Sequence, residues 1–465
     1  MKYVGLLNGF FWSWGIAFPM IILGIFYTVF LRVPWARMFK QMFRSVKSEK
    51  VGDGASAWGT LCTIVGGQVG TGNMVGVATA VASGGPGALF WMWLIALLGM
   101  SIMAGESVLA QLYKEKDGKS YKGGTAYYMS NGLHLKKLAW ITALVLSIGV
   151  GFICPAIHIV SCTDAVRNVF PIPVWMIGFI LAGAVTIVHL GGFKRVANFA
   201  SSVVPVMCVL YIGAALLIVI MNITKVPDVF AMIFTCAFKP SAIAGGAAGY
   251  TVKSAFRYGM ARGFFSNEAG EGSVSHLSAA SSVRHPVTQG LLGSMGVMID
   301  TLIVCTATGL VILSSGADYT KMNGAVLVQY AFSSQIGGFA EWFIAIAMLF
   351  FAFTTLITAT FVGHVNFKYI CNNKKAFWVF FAVQMIFTMI SCYLPMGAAF
   401  EILDLIIAVL YFLNLIAMVG LWKDVKNCFD DYETQLKAGN DDPIFNWDAF
   451  RKSKGMAPME RRENE

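Results

Sequence analysis

The segment from Trp58 to Val81 is apolar and long enough to cross a bilayer, which takes roughly 20 residues as a helix. At its middle stand Gly66, Gly67, Gln68, Gly70, Thr71, Gly72, Asn73 and Gly76. Each glycine costs about 1 kcal/mol relative to alanine inside a helix, so the spacing predicts a break. Unwound backbone at membrane depth persists only where protein buries it or it lines a watery cavity, and transporters hold solute and ions at such breaks. The segment therefore predicts a solute site; the competing reading is that its glycines only allow close helix packing. The freed N–H groups of Thr71 and Gly72, with the positive end of the following half-helix, suit a carboxylate. Exposed carbonyls of Gly66 and Val69 suit a hard cation, which takes oxygen ligands.

The rest of the chain has the same character. With 57% hydrophobic and 12% charged residues and a mean hydropathy of +0.68, only a polytopic, all-α membrane protein fits. The net charge of +10 recurs in alternate gaps between apolar segments, the pattern of the positive-inside rule, and does not indicate nucleic acid. The nine cysteines fall mostly inside apolar runs without paired spacing and read as small core residues. The first apolar run, about 8–31, is too long for a signal peptide and is expected to remain as a span. Further spans are expected near 57–82, 87–112, 138–166, 173–190, 197–221, 229–265, 287–314, 339–367, 376–394 and 400–422, about 11 in all. Loop charge puts Arg32 to Lys50 and Lys114 to Lys137 on the cytoplasmic side of the plasma membrane, the N-terminus outside and the C-terminus inside.

The seventh of these runs is too long for one crossing and contains Gly245, Gly246 and Gly249. A second break there, five spans after the first, gives the pattern of an inverted five-helix repeat with its site where the two breaks meet. The domains expected are 1–56, a first span and basic loop; 57–228 and 229–422, the two repeats; and 423–465, a cytoplasmic tail, partly helical and partly disordered. Lys253, Arg257 and Arg262 are then expected to snorkel to the cytoplasmic surface, with Glu268 pairing one of the arginines as a gate or lying in a solvated loop. Thr354 and Thr355 offer hydroxyls to a cation, although adjacent threonines often bond their own helix carbonyls. Glu106, Asp300, His158, His189 and His364 are ionisable groups inside spans that need partners; for Asp300 a structural role is expected. No complete phosphate-loop, dinucleotide, zinc-protease or serine-hydrolase motif occurs, and no catalysis is expected.

Several strings resemble the alanine or glycine:cation symporter family: VGTGNMVGVATA over Val69–Ala80, GGPGALFWMW from Gly84, GGTAYYM from Gly123, GGFKRVA from Gly191, RGFFSNEAG from Arg262 and DTLIVCTAT from Asp300. The resemblance runs from about Gly52 to the last span. It implies the leucine-transporter inverted-repeat fold, no enzyme activity and no organic cofactor, with co-transport of sodium (or protons) and a small neutral amino acid. By resemblance, Thr71 and Gly72 meet the substrate carboxylate, and Gln68 and Asn73 lie near a sodium or substrate position. Gly66, Val69, Phe351, Thr354 and Thr355 form a sodium site between spans two and nine. The substrate pocket further includes Gly245, Gly246, Ala247, His158, Thr358 and Ala359. Ala247 and Ala359 stand where the family carries aromatics, which implies room for a side chain larger than methyl, and His158 stands where a glutamine is common. The expected partners are the amino acid, sodium and the bilayer, with no obligate protein partner evident. Rival readings are a proton-coupled transporter of the same fold, using His158 or His364, and a non-transporting amino-acid receptor.

Overall fold

The computed structural model describes residues 2–49, 52–118, 120–239 and 251–458. It is mostly helical. Among the described residues, seven helices are long and apolar enough to cross a membrane: Ala88–Leu112 (α3), Lys136–Arg167 (α4), Gly192–Met221 (α6), Pro286–Ser314 (α8), Phe339–Ile370 (α9), Lys374–Tyr393 (α10) and Met396–Gly420 (α11). The first helix, α1, comprises Lys2–Phe10 and Ala17–Phe30 joined by a π turn at Phe11–Gly15. Val174–His189 (α5) is a shorter apolar helix.

The second span breaks where the glycines predict. Its first half, Ala57–Gln68 (α2a), is capped by the Ser56 side chain, which accepts the Gly59 N–H, and ends at Val69 with ψ 83°. After Gly70 and Thr71 the chain resumes as a π turn, Gly72–Gly76, and runs on as Val77–Gly84; together these form α2b.

The expected second break is not among the described residues. Gly245, Gly246 and Ala247 lie outside the described residues. Val226–Phe238 is a separate helix packed on α3. A new helix, Val252–Asn267 (α7a), starts from a capping box at Thr251 and Ser254. Its first turns lie against the far end of α2b, since a Cβ on Gly84 would meet Tyr258 and the Ser254 carbonyl at 3.1 and 3.2 Å. From there α7a runs inward and unwinds over Glu268–Gly272 before Ser273–Ala279 (α7b). Gly270 and Gly272 supply the left-handed φ values of +90° and +97° that this turn needs. The run from Phe265 to Gly272 is thus a buried helix break and no solvated loop. Arg262, at 3% exposure, does not snorkel.

The basic connections gather at one end, as their alternation predicts. There α2a and the loop after α7b are strapped by paired backbone bonds, Ala55 N–H to the Ala280 carbonyl and Ser282 N–H to the Ala55 carbonyl, each 3.1 Å. The polar tail packs across this end as two helices, Trp422–Lys437 (α12) and Trp447–Ser453 (α13). Glu433 pairs with Arg37, Asp442 with Arg284, and Asp431 Oδ2 lies 3.0 Å from His285 Nε2. The described part of the tail is therefore docked on the body. Finally, α1 is bonded to α11: Asn8 Nδ2 donates to the Glu401 carbonyl, Trp12 Nε1 to that of Asp404 and Tyr27 Oη to that of Met418, at 2.8, 3.2 and 2.8 Å.

Candidate functional site

The break in α2 sits between α9 on one side and α7a on the other. Thr355 on α9 points its Oγ1 at three carbonyls, 3.1 Å from Gly67 O and Phe351 O and 3.4 Å from Gly66 O. Thr354 Oγ1 lies 3.1 Å from the same Phe351 carbonyl. Of the residues expected around sodium, Gly66, Phe351, Thr354 and Thr355 thus converge on one oxygen-rich spot. Val69 is buried beside it, and its N–H is spent on the Val65 carbonyl. Thr358 bonds back to the Thr355 carbonyl at 2.9 Å and faces Gly67, where a Cβ would stand 2.9 Å from its hydroxyl. Ala359 is buried on the next position of the helix.

The other side of the break presents backbone donors. Gly70 N–H bonds to Asn73 Oδ1 (2.9 Å) and to the Gln68 carbonyl (2.8 Å), whereas the buried N–H groups of Thr71 and Gly72 take no partner among the described residues. Each unmet buried donor costs on the order of 1–3 kcal/mol, which a bound carboxylate at the head of α2b would recover. The Thr71 hydroxyl is 2.9 Å from His158 Nδ1. His158 reaches the break from α4, where Pro155 deprives the Gly151 carbonyl of its helical donor and Gln384 Nε2 replaces it at 2.5 Å. Gly70 is obligatory in this packing: a Cβ would stand 2.6 Å from Thr355 Oγ1 and 2.7 Å from His158 Cε1.

Asn73 also binds beyond the break. Its Nδ2 donates to Asp300 Oδ1 (2.5 Å) and the Asp300 carbonyl (3.1 Å), and Asp300 also accepts from Ser266 (2.7 Å) and Thr301 (2.6 Å). Asp300 therefore ties α8 to both broken helices, the structural role its position suggested. Gln68 likewise ties the two breaks, its Nε2 donating to the Asn267 carbonyl at 2.6 Å, while its Oε1 is buried without a partner.

Sequence reasoning missed the roof of the site. Phe265 stacks on His158 with centroids 6.0 Å apart and meets Phe400 edge-on; its ring would lie 2.9 Å from a Cβ on Gly72. Above it, on the side away from the basic loops, Arg262 forms a buried ion pair with Asp404 of α11 and lies over the Phe400 ring at 4.7 Å. Arg262 thus pairs with Asp404 and not with Glu268, whose Oε2 accepts the Ser273 hydroxyl. A charged Asp404 inside an apolar run was the available signal. His364 lies elsewhere, against His189 (4.6 Å) and Gln384 (3.0 Å) near the basic end. Among the described residues no cluster of three or more metal-ligating side chains occurs.

Known proteins share the family signature and the fold. The sequence signature of the sodium:alanine symporter family matches residues 1–447. The chain is 36% identical to the probable sodium/glutamine symporter GlnT of Bacillus subtilis (strain 168), covering 97% of this chain and 95% of that one. It is 35% identical to the sodium/proton-dependent alanine carrier protein of Bacillus sp. (strain PS3), covering 84% and 91%. Among solved structures, MhsT in complex with L-phenylalanine shares the fold, with a TM-score of 0.61 at 14% identity over 82% of this chain and 93% of that one. A manganese transporter of Eremococcus coleocola matches with a TM-score of 0.51 at 16% identity, over 78% and 77%. The chain belongs to the sodium:alanine symporter family, and by that membership it is a multi-pass membrane transporter for amino acid and cation, not an enzyme.

Proposed function

We propose that the protein imports a neutral amino acid together with sodium by alternating access. Sodium takes the Gly66, Val69 and Phe351 carbonyls and the Thr354 and Thr355 hydroxyls. The substrate carboxylate takes the Thr71 and Gly72 N–H groups, with Gln68 and Asn73 holding the break in shape. His158, Thr358, Ala359 and Phe265 surround the side chain. The observation that carries this reading is the meeting, at one break, of unpartnered backbone donors with a cluster of oxygen atoms. Sodium bound there strengthens the field at the carboxylate, so each ligand favours the other. The names of the relatives, one a glutamine symporter and one an alanine carrier, support a neutral substrate and favour one larger than glycine.

In this reading the N-terminus and the Arg262–Asp404 pair face outside, and the strap at Ala55 and the tail face the cytoplasm. The repeats span 57–228 and 229–422, and the bundle containing α2 and α7 rocks between them. Only a ligand that binds one face better than the other moves such an equilibrium, so sodium and substrate must together stabilise the closed site. Uptake of labelled glutamine and alanine into vesicles holding the purified protein tests the proposal. An imposed sodium gradient should drive accumulation of at least one; equal uptake with choline in place of sodium would refute sodium coupling.

A further inference from the structure

We propose that the cavity between α5, α9 and α10 near the basic end binds the headgroup of an anionic phospholipid, whose acyl chain lies along the apolar face of α5 and α10. The inference rests on the membrane-spanning fold and on neither the substrate nor the ion assigned above.

The cavity measures about 330 Å³. A two-stranded hairpin, Glu115–Asp117 (β1) with Ser120–Lys122 (β2), forms one wall, and the turn from His189 to Phe193 that joins α5 to α6 forms another. The end of α9 and the start of α10 complete it with His364, Lys368, Phe377 and Trp378. It is separate from the α2 break: Lys368 lies about 20 Å along α9 from Thr355 at the rise of a helix.

The rim favours negative charge. Lys122 and Lys368 line the cavity, and their acidic neighbours hold them loosely, Glu115 at 3.9 Å and Asp117 at 3.8 Å. Lys194 and Arg195 on the first turn of α6, and Lys374 and Lys375 on that of α10, are exposed and form no ion pair with Asp or Glu among the described residues. The start of α6 has no side-chain cap, which leaves its first N–H groups and the positive end of its dipole unanswered. A Cβ on Gly192 would meet nothing within 4 Å, so a headgroup can approach this backbone. Among the described residues, His189 Nδ1 is buried without a partner; as an N–H it would donate to a phosphate oxygen.

Beyond the rim the surface is apolar. The Phe193 and Phe361 rings pack 4.5 Å apart, and Lys368 Nζ lies 5.4 Å over the Phe377 ring. Leu190 and Trp378 line the cavity and are also exposed on the outside of the bundle, where Ile187 of α5 and Val379 and Val383 of α10 extend the same strip along the span. A soluble anion would use the basic rim and leave the aromatic wall and the strip bare. A zwitterionic lipid would bring its own ammonium group to a rim already rich in cations. An anionic phospholipid satisfies both parts, as basic pockets between spans do for such headgroups elsewhere, with Trp378 at the level where tryptophans meet the membrane interface. Bound there, the lipid braces α9, which carries Thr354 and Thr355, to the hairpin and to the turn between α5 and α6.

The test uses the full-length protein purified in a neutral detergent. Phosphatidylglycerol and phosphatidylcholine with identical acyl chains are added in separate samples, and bound lipid is counted by native mass spectrometry. Phosphatidylglycerol should be retained in preference to phosphatidylcholine. Each basic group beside an anionic headgroup is worth about fivefold in affinity, so Lys122→Gln with Lys368→Gln should lower phosphatidylglycerol retention roughly tenfold or more. Lys136→Gln with Lys137→Gln, which removes as much charge from another part of the same end, should leave it within twofold. Equal retention of the two lipids, or an equal loss in the two double variants, would overturn the proposal. So would displacement of the lipid by inorganic phosphate at equal concentration, since the site would then be one for a soluble anion. A second arm needs no substitution: phosphatidylglycerol carrying a photoreactive diazirine in its acyl chain should label peptides that contain residues 180–190 and 378–386 ahead of other membrane-facing peptides. Labelling spread evenly over the exposed spans would overturn the proposal whether or not the lysine variants fold.

Discussion

Replacing Thr355 by valine tests the cation site with the least disturbance, because the side chain keeps its shape and loses one oxygen. In the structure that hydroxyl has a single hydrogen to share among the Gly66, Gly67 and Phe351 carbonyls at 3.4, 3.1 and 3.1 Å. Its loss should therefore lower stability by only about 1 kcal/mol, the worth of one neutral hydrogen bond. For a bound sodium ion the same oxygen is a direct ligand. Interactions of polar groups with a charge are worth about 1.5–3 kcal/mol, and each 1.4 kcal/mol is about tenfold in affinity. The sodium half-saturation for uptake should thus rise roughly 10- to 100-fold, far beyond the effect on folding. Sodium should also lose most of its ability to raise the thermal unfolding temperature, since a ligand stabilises through its affinity for the folded state. A Thr355→Val protein that folds, transports and keeps a sodium half-saturation within twofold of the wild type would refute this placement of the ion.

Other perturbations separate the remaining parts. Asp404→Asn leaves Arg262 buried and unpaired and should cost about 3–5 kcal/mol, seen as a lowered unfolding temperature; replacing the pair together, Arg262→Met with Asp404→Leu, should recover most of it. No recovery would mean that packing against Phe400, not charge, dominates. Gly67→Ala sets a methyl 2.9 Å from Thr358 Oγ1 and should abolish uptake, and Thr358→Ala in the same chain should restore part of it. His285 at the basic end accepts the Val287 N–H at Nδ1 (3.2 Å) and donates from Nε2 to Asp431. Burial pushes its pKa down from 6.5 to about 4. A folded-state pKa below the unfolded one means that its contribution is complete above pH 6.5 and is lost as the pH falls from there to about 4. Hydrogen exchange in α12 should accelerate over that window in the wild type; equal protection at about pH 4.5 and pH 7.5 would show that His285 does not govern tail docking.

What the sequence disclosed follows the range of the interactions concerned. The α2 break is local: glycines and polar residues within one apolar run are enough to reveal it. The basic end was legible from loop charge for the same reason. The break after α7a was not anticipated, because Gly270 and Gly272 follow charged residues that read as a surface loop. Arg262 read as a surface residue because its partner, Asp404, is 142 positions away. The contact of Thr71 with His158 and the roof formed by Phe265 are products of tertiary packing, on which helical periodicity is silent. In the tail the expected helical part is present, and what polar composition could not show is that ion pairs to Arg37 and Arg284 dock it on the body.

The three bonds from α1 to the backbone of α11 bear on how the chain is made. Asn8, Trp12 and Tyr27 emerge from the ribosome 393, 392 and 391 residues before their acceptors, the carbonyls of Glu401, Asp404 and Met418. Throughout synthesis the first helix carries polar groups into lipid with their final partners still untranslated, where an unmet hydrogen-bonding group is costly. It must therefore wait in the company of the insertion machinery or of temporary neighbours. Nascent chains arrested before about residue 396 should leave α1 extractable or accessible to cross-linkers, and completion of α11 should bury it within the bundle.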